Sequence, residues 1–424
     1  MVKNLITNKL SILGPGILIA ATGVGAGDLA TAAFSGSKIG LTVLWAIVLG
    51  AFFKFVLNEG LTRWQLATET TLLEGAMSHL GRTAQSIFLI YFLAWSFMVA
   101  AALMSACGAA AQAIFPLTTD PVTGKIIYGI LHSLLGLLLV YWGGYRLFEK
   151  LMGFCIGLMF ITVITTAILL KPEWHQVING LTLPTLPQSQ EELTWTIALM
   201  GGIGGTVTIL SYGYWIREKG RLTPKELSVC RLDLATGYIM TALFGIAMVI
   251  IGHSIQVEGS GATLIIKLAN SLLTEIGPIG KWLFLIGAWG AIFSSLLGVW
   301  QSVPYLFADL WRLIQIKGSD HNLVKPSLNQ DSKDSKYYRG YLYALSLIPM
   351  IGLWIGFAKM QKWYAIIGAL FIPMLALTLL LLNGRTQWIG IQHRNRLSTT
   401  LILIFILLFF ITAGGLSIWK IFKF

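Results

Sequence analysis

The sequence predicts an all-α polytopic membrane protein, and three observations predict it. Only 11% of its 424 residues are charged while 56% are hydrophobic, against about 25% charged in a soluble globular chain. The apolar residues gather into runs of about 20, the length that crosses a hydrocarbon core. Two of these runs carry glycine clusters at corresponding places in the two halves of the chain. So little charge cannot cover a water-facing surface of this size, which excludes a soluble enzyme. Thirty Lys and Arg against eighteen Asp and Glu leave a net charge of +12, an excess that reads as membrane topology and not as nucleic-acid binding.

Eleven spans are expected, at 12–34, 41–58, 86–114, 126–143, 152–170, 194–216, 232–253, 280–307, 341–358, 364–382 and 399–418. The first follows Lys3 and Lys9 without a small-residue cleavage site, so it reads as an uncleaved span and not as a signal peptide. The stretches 59–85, 171–193, 254–279 and 308–340 are expected loops, the last polar enough for a flexible linker. Residues 1–424 then form a single transmembrane transporter domain. With the N-terminus in the cytoplasm, twenty Lys and Arg fall inside and nine outside, and Lys54 within a span completes the thirty. That bias follows the positive-inside rule. A multi-pass cell-membrane protein with a cytoplasmic N-terminus is expected, its partner the lipid bilayer; the oligomeric state is left open. Cys107, Cys155 and Cys230 show no disulfide or metal spacing and read as packing.

The first span contains Thr22-Gly23-Val24-Gly25-Ala26-Gly27-Asp28, and the sixth Gly201-Gly202-Ile203-Gly204-Gly205-Thr206-Val207-Thr208. Unwinding a helix inside a membrane exposes N–H and carbonyl groups, which is tolerable where they line a cavity or hold a ligand. One half-helix then offers a negative C-terminal end and the next a positive N-terminal end. Paired breaks of this kind point to an inverted-repeat transporter with its site at mid-membrane. The repeats are expected at 12–170 and 194–382, with 399–418 as an additional helix. The plainer alternative is that these glycines serve close helix packing.

Gly14-Pro15-Gly16 leading to the first break and Leu29-Ala30-Thr31 resembles the first span of the NRAMP metal-ion transporters. Leu44-Trp45, Gly144-Tyr145-Arg146-Leu147-Phe148-Glu149 and Ile372-Pro373-Met374 to Asn383 resemble its later elements. The resemblance covers nearly the whole chain and implies a LeuT-like fold of 5+5 inverted repeats with helices 1 and 6 broken. It also marks departures. The family's Asp-Pro-Gly-Asn aligns with Gly25-Ala26-Gly27-Asp28, and its Met-Pro-His with Thr208-Ile209-Leu210. Its third-span acids fall near Ala102 and Ser105. A thioether, an imidazole and several carboxylates are thereby lost, along with their suitability for late first-row metals and proton relay. The departures resemble a branch of NRAMP-related proteins associated with bicarbonate uptake.

The remaining donors suit a small inorganic anion, with Gly25, Gly27, Asp28, Thr206, Thr208, Ser211 and Tyr212 as expected substrate-binding residues. An anion entering against an inside-negative potential costs about 2.3 kcal/mol per charge per 100 mV, so a co-transported cation is required. Na⁺ is the expected coupling ion and no other cofactor is expected. Sodium-coupled members of the LeuT-like fold imply its place, between the first break and a hydroxyl pair: Thr22, Gly25, Asp28, Ser294 and Ser295. Asp28 has three open roles: capping the second half-helix, binding the cation, or ligating Mg²⁺ or Mn²⁺ directly. The last belongs to the alternative reading, an NRAMP-like carrier of a divalent metal. A channel or sensor is a further alternative; the absence of paired carboxylates or a His–nucleophile set at span depth argues against an enzyme and leaves no catalytic residue to name. Lys54 reads as a snorkelling side chain, Trp215 as a wall of the site, and Arg217, Arg231, Asp233, Asp309 and Arg312 as topology signals and surface ion pairs.

Overall fold

The computed structural model describes residues 14–255, 262–315, 335–355 and 357–422, and among these every regular element is helical. The first span is two helices, α1 (Gly14–Gly23) and α2 (Ala26–Ile39). A 3-10 turn leads to α3 (Leu44–Thr68), followed by the short α4 (Leu72–His79) and by α5 (Gly81–Ile114). The fourth and fifth spans form α6 (Pro121–Leu169). Its 49 residues would extend about 74 Å as one straight rod, more than twice a bilayer core. The chain breaks direction at Gly144, whose φ of 61° favours glycine. After α7 (Trp174–Thr182), the sixth span divides into α8 (Gln190–Gly202) and α9 (Ser211–Glu218), joined through the 3-10 turn Val207–Leu210. Then come α10 (Leu227–Ser254) and α11 (Ala262–Gln315), the latter kinked at Gly277 before Pro278. The chain closes with α12 (Lys336–Leu347), α13 (Phe357–Ala369), α14 (Phe371–Leu382), α15 (Thr386–Ile389) and α16 (Leu397–Phe422).

Three of the four expected loops are largely helical. Residues 59–85 hold the end of α3 and α4, and 171–193 hold α7. Of 254–279, α11 takes everything from Ala262 onward, and of 308–340 helix takes 308–315 and 336–340, so the expected linker otherwise falls on 316–334. Those residues, and residues 1–13 with Lys3 and Lys9, lie outside the described residues. The reason is amphipathic: α4 buries Leu72, Leu73, Ala76 and Met77 on one side without needing to span anything. Lys125, expected in an outer loop, is buried in α6 and donates to the Leu353 carbonyl at 3.1 Å.

The centre is built on close backbone contacts. Gly16 of α1 sits against the Asp233 carbonyl of α10, and Gly237 against the Gly16 carbonyl. Further along, Gly36 meets the Val249 carbonyl and Gly252 that of Ala33. Small residues let these helices approach where lipid supplies no hydrophobic drive. The broken first span is thus clamped at both ends to α10, leaving its middle free to depart from helix.

Candidate ion-binding site between the two breaks

The breaks abut. A Cβ on Gly23 would come within 2.8 Å of the Gly204 carbonyl carbon. Gly204 and Gly205 hold φ values of 81° and 83°, which other residues adopt only with strain. The glycines therefore divide by role: Gly16 and Gly36 permit packing, while Gly23, Gly204 and Gly205 make the junction.

On one side of the junction, Ser294 Oγ of α11 donates to the Ala21 carbonyl at 2.9 Å, and Ser295 Oγ donates to those of Ala21 and Val24 at 3.2 and 2.9 Å. Gly25 faces Ser295, its Cβ position 3.0 Å from that hydroxyl. Thr22 packs on Gly298, one turn beyond Ser294, and its buried hydroxyl has no hydrogen-bond partner among the described residues. Carbonyl and hydroxyl oxygens from two helices are thus gathered within a buried space, the donor set a hard cation prefers.

Asp28 is buried in the first turn of α2 and accepts the Gly25 N–H on Oδ2 at 3.2 Å. Its Oδ1 lies 3.7 Å from the Cβ position of Gly202, so the carboxylate reaches from the first break to the second.

Lys54 is not a snorkelling side chain. It is fully buried in α3 and its Nζ donates to the Gly201 carbonyl at 3.1 Å and to that of Gly205. The C-terminal end of α8 therefore points its negative dipole at a tethered ammonium. The missed signal was spacing: Lys54, Asn58, Thr62 and Gln65 recur every three or four residues along α3, which puts them on one helix face.

The other expected substrate residues separate. Thr208 packs on Gly205, while Thr206 Oγ1 accepts from Trp95 Nε1 at 3.1 Å beneath Gly368 of α13. Gly27 lies in the first turn of α2. Ser211 opens α9 with a buried hydroxyl that has no hydrogen-bond partner among the described residues. Tyr212 turns away: its hydroxyl donates to Asp233 Oδ2 at 2.9 Å and to the Cys230 carbonyl. Helical geometry from Ser211 onward directs it at α10. Trp215 likewise leaves the junction, donating to Gln301 Oε1 at 2.8 Å.

Below the junction lies an arginine-rich closure whose acids Glu74, Asp233 and Asp309 are buried, not superficial, while the Arg231–Glu59 pair stays near the surface as expected. Glu74 takes Arg217 at 3.2 Å and Arg312 at 2.6 Å. Asp233 takes Arg221 at 3.0 Å and the Gly16 N–H at 2.9 Å. Tyr214 donates to Asp309 at 2.7 Å, and Arg231 pairs with Glu59 at 2.7 Å. Burial alone would raise the Glu74 carboxyl; Arg217, the Thr71 N–H and Arg312 outweigh it and hold the group below its ordinary 4.5. At the former third-span acid positions, Ala102 packs with Ala101 and Met360, and Ser105 is buried. Among the described residues, no three His, Cys, Asp or Glu side chains cluster as a metal site would require.

An all-helical, multi-pass chain whose two interrupted helices abut at a buried polar junction has the architecture of a LeuT-like membrane transporter. Residues 16–420 match the natural resistance-associated macrophage protein-like family, and the chain belongs to this Nramp family. Its fold is similar to that of the Eremococcus coleocola manganese transporter (TM-score 0.70, 16% identity, 98% of this chain and 87% of that one). It is also similar to MhsT in complex with L-phenylalanine (TM-score 0.62, 14% identity, 97% and 98%). In sequence it is 25% identical over 72% of each chain to an uncharacterised protein of Pasteurella multocida. It is 28% identical to the divalent metal cation transporter MntH of Brucella suis, over 47% of this chain and 42% of that one. The family and fold are those of membrane transporters and not of enzymes.

Proposed function

We propose that this chain is a secondary carrier that brings a small oxyanion, bicarbonate in the first instance, into the cell together with Na⁺. One observation carries the reading: the Lys54 ammonium is held on the Gly201 and Gly205 carbonyls of the second break. A tethered cation already takes the oxygens that a dehydrated metal would need, and two like charges do not share such a cage. Only two of its three donors are used there, which leaves one for a ligand. Bicarbonate suits a junction bearing both Lys54 and Asp28 because it accepts from an ammonium and also donates its own O–H to a carboxylate; nitrite and formate lack that donor. The Ser294, Ser295, Thr22, Ala21 and Val24 oxygens supply the Na⁺ position. The arginine-rich end is cytoplasmic on the positive-inside rule, and the repeats 12–170 and 194–382 rock about the junction.

A second reading is favoured by the relatives named as divalent metal cation or manganese transporters and by Asp28. There a hard divalent ion would bind Asp28, the hydroxyls and retained water, after Lys54 leaves its carbonyls. Proteoliposome uptake separates the two: labelled bicarbonate accumulating on an inward Na⁺ gradient, without Mn²⁺ influx, supports the carrier of anions. Mn²⁺ or Mg²⁺ influx without bicarbonate uptake overturns it.

A further inference from the structure

The same face of α3 that bears Lys54 continues as a buried polar stripe. Asn58 Nδ2 donates to Tyr238 OH at 3.1 Å, Thr62 Oγ1 to the Asn58 carbonyl at 2.7 Å, and Gln65 Nε2 to the Gly213 carbonyl at 2.6 Å. Tyr238 and the stem of Lys54 both rest on Gly204, which ties the upper end of the stripe to the second break. Its lower end reaches a cavity of about 140 Å³ lined by Gln65, Leu66, Glu69, Arg217, Arg221, Leu222 and Thr223. That is room for several waters at about 30 Å³ each.

The acceptor oxygens of this stripe are unsatisfied. Asn58 Oδ1 and Gln65 Oε1 are buried without a hydrogen-bond partner among the described residues, as is Ser211 Oγ on the helix that Gln65 touches. Each such group costs roughly 1–3 kcal/mol in a closed, dry state. The amide N–H groups tie α3 to α9 and α10, but that packing leaves the oxygens over. They are groups that water or a hydrated ion meets when the seam opens.

We propose that Lys54, Asn58, Thr62 and Gln65 line the inner half of the permeation path, along which a small hydrated anion passes from the junction to the cavity between Arg217 and Arg221. Lys54 marks its closed upper end and Gln65 its mouth. The proposal rests on the carrier reading, yet its test measures water access and is blind to which ion travels, so either can fail alone.

The test is cysteine labelling. Asn58→Cys and Gln65→Cys are made with Cys107, Cys155 and Cys230 replaced by alanine, and a membrane-impermeant methanethiosulfonate is applied to sealed inside-out vesicles. Phe52→Cys, on the exposed face of the same helix, is the reference. Both stripe positions are expected to react at least tenfold faster than the reference, and from this side only. Rates equal to the reference, in protein with verified insertion, overturn the proposal. Where a variant fails to fold, hydroxyl-radical footprinting of the unaltered protein reads the same path. Tyr238 should be oxidised well above Phe244, equally buried on the same helix; equal oxidation counts against the path.

Discussion

Lys54→Met removes one charge while keeping a stem of similar length. Two buried carbonyls, Gly201 and Gly205, then lose their donor. Leaving a buried polar group without its partner costs about 1–3 kcal/mol per group, a loss that a thermal-shift measurement in detergent reads as a lowered Tm. The functional effect is separate. A hydrogen bond to a charged group is worth about 1.5–3 kcal/mol, which is roughly 10- to 150-fold in affinity. Bicarbonate uptake into proteoliposomes should therefore show a KM raised by that factor in Lys54→Met, with Lys54→Arg recovering part of it by retaining the charge. Under the same conditions Mn²⁺ influx should rise, because a competing cation has gone. A Lys54→Met protein that is monodisperse and takes up bicarbonate with unchanged KM refutes the assignment of this ammonium to the substrate.

Other perturbations act elsewhere. Ser294→Ala and Ser295→Ala each remove an oxygen from the first-break cluster, so the Na⁺ concentration for half-maximal uptake should rise about tenfold while substrate KM at saturating Na⁺ stays near wild type; an unchanged Na⁺ dependence removes the cation site. Gly298→Ala pushes a methyl into Thr22 and should cost about 1–3 kcal/mol by overpacking, lowering Tm together with Na⁺ affinity. Glu74→Gln leaves Arg217 and Arg312 without their shared carboxylate, so cytoplasmic-side labelling of Gln65→Cys should accelerate in that background. Because the folded Glu74 sits below its ordinary 4.5, its stabilising contribution is complete above pH 4.5 and drains away as pH falls through the depressed folded value. Acid titration of thermal stability should lose that increment in wild type and show less of it in Glu74→Gln.

Hydropathy made the spans legible, and glycine spacing made both breaks legible, because each is a local property of the chain. The contact of Ser294 and Ser295 with the first break was foreseen through the resemblance to sodium-coupled members of the LeuT-like fold, since an adjacent hydroxyl pair in mid-span does not by itself name its partner. What the loops do was less visible. The stretches holding α4 and α7 are amphipathic and short, so they read as connections until their apolar sides find the bundle. Lys54 was misjudged because a lysine one turn from the end of a span usually reaches for water. Its partners are carbonyls 147 and 151 positions away, and no local pattern announces them. Tyr212 was misplaced by the converse error, since nearness in sequence to the second break did not fix which neighbour it would meet. Asp233, some twenty residues on, captured it.

The claim that the junction holds a built-in cation is tested most directly by structures determined with Mn²⁺ and, separately, with Na⁺ and bicarbonate. Anomalous scattering at the manganese edge should show no peak between Asp28 and the Gly205 carbonyl, with Lys54 still donating to Gly201 and Gly205, while the bicarbonate data show density within hydrogen-bond reach of its Nζ. A manganese peak at about 2.2 Å from Asp28, with Lys54 displaced, contradicts the account.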